Sequence, residues 1–98
     1  MEELGKIVGD MWDELHGAKH YAEHAMKLKA TDPTKANMYS EMARQELAHF
    51  ESLHKMGQRM VDGQHGDDHE MYKHIWDFET DRVLEKAAKI RTMLDMAR

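Results

Sequence analysis

Thr31-Asp32-Pro33-Thr34 contains the only proline of this 98-residue chain, and it divides what would otherwise read as one long helix into two. Asp32 has the short carboxylate that caps a helix by accepting from free backbone N–H groups of its first turn. Pro33 brings a φ already set for the first helical position, where its missing N–H is not needed. One helix therefore ends before this stretch and another begins at Pro33. Working outward, the next interruption is Gly63-Gln64-His65-Gly66-Asp67. Gly63 is expected to end the second helix in the left-handed conformation, and Asp67 with Glu70 three residues on has the spacing of a capping box. The expected helices span about Glu2–Leu28, Pro33–Asp62 and Asp68–Ala97. So short a first connection makes helices one and two an antiparallel hairpin. The third helix either folds against that hairpin or reaches toward another chain.

Composition agrees with an all-α single domain. Met, Ala, Glu, Lys and Leu abound, β-branched residues are few and 34% of residues are charged, which favours helix and leaves strands little to work with. A chain of this size buries too little surface to be comfortably stable alone, so a homodimer or higher homo-oligomer is expected. The absence of cysteine excludes disulfides, thiolate zinc sites, iron–sulfur clusters and thiol nucleophiles. A metal would have to use His, Asp or Glu. The net charge of −5 leaves no basic face for phosphates, so nucleic acid is not an expected partner. The acidic start Met1-Glu2-Glu3 and the lack of a long apolar run argue against a signal peptide or membrane span. A soluble, cytoplasmic protein is expected. The ten methionines are explained by flexible gap filling in a helical core. Trp12-Asp13-Glu14 and Trp76-Asp77-Phe78-Glu79 echo each other but are too short to form a repeat.

Charged residues interrupt the apolar stripes. In the second helix Tyr39, Met42, Glu46, His49, Leu53, Met56 and Met60 alternate spacings of three and four, as in the seam of a packed helix. In the first, Leu4, Ile7, Met11, Glu14, Ala18, Tyr21, Ala25 and Leu28 keep the same rhythm, with Glu14 the only charged member. Antiparallel helices set side by side the residues equally distant from their turn. Measured from Thr31, Glu14 lies about 17 residues back and Glu46 and His49 about 15 and 18 forward, so the three should meet. Glu23 is too near the turn and reads as a surface residue. Two carboxylates in an apolar seam need compensation, and neither seam contains Lys or Arg; Tyr21, Tyr39 and Arg82 are the nearest polar candidates. A cation is the simplest counter-charge; a hydrogen-bonded cluster is the alternative. Glu46 and His49, three apart on one face, can bind one ion, and oxygen donors with a single imidazole suit iron or manganese.

Glu14-Leu15-His16-Gly17-Ala18-Lys19-His20-Tyr21 and Met42-Ala43-Arg44-Gln45-Glu46-Leu47-Ala48-His49 together resemble the ligand segments of the ferritin-like di-iron proteins. The stretch from Glu14 is similar to the rubrerythrin pattern of a glutamate, a small residue and a tyrosine two turns on. The stretch from Met42 resembles the Glu-x-x-His segment of the same family. The likeness covers about residues 4–62 and extends to the small encapsulated ferritins. A complete di-iron bundle takes one Glu from each of two helices and Glu-x-x-His from each of the other two, and the third helix has no further motif of this kind. The resemblance therefore implies a ferritin-like four-helix bundle completed by dimerisation, in which Glu14, Glu46 and His49 of two chains enclose two iron ions. It also implies a ferroxidase that oxidises Fe(II) to Fe(III) with dioxygen or peroxide, with Glu46 bridging, Glu14 a terminal or chelating ligand and His49 the nitrogen donor. Encapsulated members carry a C-terminal targeting extension; none is visible after Leu94-Asp95-Met96-Ala97-Arg98, so an encapsulating shell is not expected. The reading from a different class is a non-enzymatic helical assembly or adaptor protein, such as a phage head component.

Other polar groups have simpler readings. His16, His20 and His24, four apart, form a solvated face able to bind ions, and His65, Asp67, Asp68 and His69 surround the second turn, where capping explains the acids. Glu79 falls in the third-helix row Tyr72, Trp76, Glu79, Val83, Ala87, Ile90 and Leu94 and reads first as a polar position tolerated in the seam, with joining or shielding the site as the alternative. His54 and Tyr21 are candidates for groups hydrogen-bonded behind the ligands.

Overall fold

The computed structural model describes residues 1–98 and is all-helical: α1 (Glu2–Leu28), α2 (Pro33–Asp62) and α3 (Gly66–Met96). Asp32 Oδ1 accepts from the Lys35 backbone N–H at 3.1 Å, and Pro33 opens α2. The backbone N–H groups of Thr31 and Asp32 both close onto the Leu28 carbonyl, so α1 turns into α2 within four residues.

The second turn differs from expectation. Gly63 keeps right-handed backbone angles (φ −81°, ψ −7°), and Gly66 is the residue with positive φ, at +59°. The chain reverses at Gly66 and α3 starts there, two residues before the expected Asp68. His65 occupies the N-cap position with no side-chain cap, so the Asp67–Glu70 capping box does not form. Asp67 and Asp68 lie inside the first turn of α3, where their charge meets the positive end of the helix dipole.

The third helix folds back along the hairpin, giving a bundle 56 Å long and 17 by 15 Å across. Its row Trp76, Val83, Ala87, Ile90 and Leu94 is buried as expected. Gly57 admits the largest of these side chains. A Cβ there would lie 2.2 Å from the Trp76 ring, so only glycine leaves α2 open to the indole. Trp76 Nε1 donates to Gln58 Oε1 at 2.8 Å, which satisfies its polar edge. No helix is long and apolar enough to cross a membrane.

The buried stripe of α2 corrects the expectation from periodicity. The residues that face the core are Ala36, Ser40, Ala43, Leu47, Phe50, Gly57 and Val61, one position round from the expected row. One residue is about 100° of helix rotation. Met42, His49 and Met56 are therefore exposed, and Tyr39, Glu46, Leu53 and Met60 are half-buried. Small residues explain the choice. Ala18, Ala22 and Ala25 of α1 face the core with Ala36, Ser40 and Ala43 of α2, and such surfaces let two helices approach more closely than Met against Tyr would. In α1 the core takes Leu15 and Ala22, while Glu14, Tyr21 and Leu28 stay at its edge.

Candidate metal centre

Glu14, Glu46 and His49 come together on the flank of the hairpin. One ligand atom from each lies within 4.8 Å of the other two, so residues level with one another across the turn do meet. The site is not sealed in a seam, however. The His49 side chain is 62% exposed and that of Glu14 27%, because the stripe carrying Glu46 and His49 faces outward beside the contact with α1. The enclosure in an apolar seam expected from the sequence is absent in the single chain.

The carboxylates lack ordinary partners. Glu14 Oε2 is buried and accepts no hydrogen bond. It lies 3.4 Å from His49 Nδ1, outside hydrogen-bonding geometry, and neither carboxylate has a Lys or Arg partner. A buried acceptor without a donor costs about 1–3 kcal/mol, so the molecule retains an unfavourable arrangement here. Gly17, one turn above Glu14, makes room for it. A Cβ at Gly17 would stand 3.1 Å from Glu46 Oε2 and 3.4 Å from its carboxyl carbon. Glycine thus lets the Glu46 carboxylate lie close against α1.

Crowding of like charges shows in the acidity of Glu46. A hydrogen bond to Glu14, available only while Glu46 is protonated, pushes its carboxyl from the ordinary 4.5 up to about 6; burial and repulsion from Glu14 act in the same direction, and His49 opposes them. Two carboxylates competing for one proton, beside an imidazole and with no Lys or Arg, form a set that a cation would relieve. The donors fit a hard or borderline divalent ion, iron or manganese before copper. Glu14, Glu46 and His49 are the residues that could hold it.

The other candidates fall elsewhere. Glu79 does not join the group: Trp12 Nε1 donates to its Oε2 at 3.2 Å, and Arg82 approaches its Oε1 at 3.7 Å while covering the Trp12 and Phe78 rings. Arg82 is thus occupied and does not neutralise Glu14 or Glu46. His54 is not behind the ligands but lies where α2 meets α3, its ring 6.2 Å from Phe50 and 5.2 Å from Trp76. Burial holds its imidazole below the usual range, and Nε2 has no partner. Tyr21 stacks on Tyr39 at 6.1 Å, one turn beyond Gly17. Glu23 pairs with Lys19 at the surface. The close fit of Gly17 to Glu46 was not legible as a contact, although the small residue one turn after Glu14 was its trace. No family model matches the chain, and neither do any curated protein or solved structure with which it was compared.

Proposed function

We propose that the chain is one subunit of a ferritin-like di-iron protein whose site is completed when another copy covers the open flank of the hairpin. The observation that supports this most directly is the buried, unpartnered Oε2 of Glu14 beside Glu46 and His49. One chain supplies two carboxylates and one imidazole, half of what a di-iron bundle uses, and leaves them facing outward. Apolar side chains flank them along α2: Met38, Met42 and Met56 are exposed, and Leu53 and Met60 half-buried. A copy related by two-fold symmetry would bury this stripe and both half-sites together, as an isologous interface requires. The two hairpins would form the four-helix bundle, with α3 of each chain outside it.

In this reading Fe(II) is the substrate. Two Fe(II) ions lose one electron each; dioxygen takes up both electrons and two protons to give hydrogen peroxide, or peroxide does so to give two waters. The protein binds and spaces the ions. Glu46, with both other ligands beside it, would serve both ions, Glu14 would be a terminal or chelating ligand and His49 would supply the nitrogen donor. Near pH 6 loading would displace a proton from Glu46, so uptake is proton-coupled. Manganese satisfies the same donor preference without the same reactivity.

The exposed methionines also favour a different reading, a non-enzymatic assembly protein that associates through this flank without metal. Oxygen consumption, bound iron and sedimentation velocity after Fe(II) addition separate the two. The di-iron reading expects roughly one iron per chain, oxygen uptake, and a dimer strengthened by iron, all lost in Glu46→Ala. Dimerisation unchanged in Glu46→Ala, with no iron retained by the wild type, would leave the assembly reading.

A further inference from the structure

We propose a second metal site, separate from the Glu14 group, in which His20 and His24 chelate a borderline divalent ion such as Zn(II) or Ni(II). The two residues are four apart on α1, one turn above one another on the same face. Their rings lie 4.6 Å apart, edge to face at 80°. Two imidazoles bound side by side to one ion through metal–nitrogen bonds of about 2.1 Å have ring centres roughly 4.5–5 Å apart, so the separation of this pair is that of two rings able to share an ion. The His24 ring is also held from the other helix: Tyr39 stacks on it at 4.9 Å and 20°, and Tyr39 is in turn stacked on Tyr21. His24 is half-buried by these contacts while His20 is exposed, which leaves the outer side of the pair open to an ion and its waters.

Nearby groups neither complete nor block the pair. Glu23, the closest carboxylate in sequence, is engaged by Lys19 at 3.7 Å. His16, the remaining member of the stripe, turns toward Trp12, with ring centroids 6.1 Å apart. Gly17 and Glu46 mark the height of the carboxylate site, and His24 and Tyr39 are each seven residues farther toward the turn. At 1.5 Å per residue the two sites are about 10 Å apart along the bundle, too far to share an ion. Donor chemistry also separates them. An imidazole-only pair with open positions prefers zinc, nickel or copper, whereas a carboxylate-rich set suits iron and manganese. The inference does not depend on the di-iron reading.

Calorimetric titration of the full chain with Zn(II) and Ni(II) tests it, in a Glu46→Ala/His49→Ala background that removes the other site. About one ion per chain is expected. His20→Asn, an exposed substitution that leaves the core intact, should weaken binding at least roughly tenfold, because a monodentate histidine loses the chelate's effective concentration. His16→Asn should leave it unchanged. As an independent readout, Zn(II) should raise the melting temperature of the background protein and not that of its His20→Asn derivative. Absence of binding, equal affinity in His20→Asn, or an equal loss in His16→Asn would overturn the assignment.

Discussion

Replacing Glu46 by Gln should stabilise the metal-free protein at neutral pH while abolishing its metal binding. The carboxyl of Glu46 is raised from 4.5 to about 6, chiefly by Glu14. At 1.36 kcal/mol per tenfold change in proton affinity, ionising it in the folded state costs up to about 2 kcal/mol. Solvent reaches this flank and screens the repulsion, so about 1 kcal/mol is the expected effect. The sign follows from proton binding. Between pH 4.5 and 6 the folded protein holds a proton that the unfolded chain has released, so stability falls as pH rises through this window. Below it both states are protonated and the group is neutral to folding; above it the full penalty applies. Glutamine has the shape of the protonated acid and no charge. With EDTA present, Glu46→Gln should therefore match the wild type near pH 4 and exceed it by about 1 kcal/mol at pH 8, a rise of about 4–8 °C in Tm for a domain of this size. Circular-dichroism melts across that range measure it. A constant difference at all pH values, or a less stable variant at pH 8, would refute the crowded-carboxylate picture. Adding Mn(II) should reverse the order, since only the wild type gains from binding.

Three further substitutions test the packing around the site and the core. Gly17→Ala should raise helix stability by up to about 1 kcal/mol in thermal melts, yet weaken Fe(II) or Mn(II) binding roughly tenfold or more, because its Cβ meets Glu46 Oε2 at 3.1 Å. Gly57→Ala drives a methyl group into the Trp76 ring at 2.2 Å, and a loss of about 3 kcal/mol in urea unfolding is expected, with a weakened near-ultraviolet Trp signal as α3 loosens. His54→Leu concerns the opposite pH trend. Burial lowers the His54 pKa from 6.5, so this group's stability is present above pH 6.5 and lost as pH falls through its folded value. The leucine variant should lose less stability on acidification than the wild type, as followed by urea midpoints from pH 7.5 to 5.

Local chemistry in the chain determined the three helices and the heights of their residues. Asp32 and Pro33 make one turn for reasons contained in four residues, and 1.5 Å of rise per residue then brings Glu14 level with Glu46 and His49 wherever the hairpin closes. The start of α3 was less legible, because Gly63 and Gly66 are both able to reverse the chain and nothing in the local sequence ranks them; Gly66 is the one that takes positive φ. Tertiary structure alone decided the rotation of α2. Two stripes run along it one residue apart, Tyr39, Met42, Glu46, His49, Leu53, Met56 and Met60 beside Ala36, Ser40, Ala43, Leu47, Phe50, Gly57 and Val61, and periodicity does not rank them. Close approach of the alanine faces and the slot at Gly57 bury the stripe that begins at Ala36. The stripe from Tyr39, with its carboxylate and imidazole, is left at the edge of the core, half-buried or exposed, because a helix this narrow cannot present both to one core.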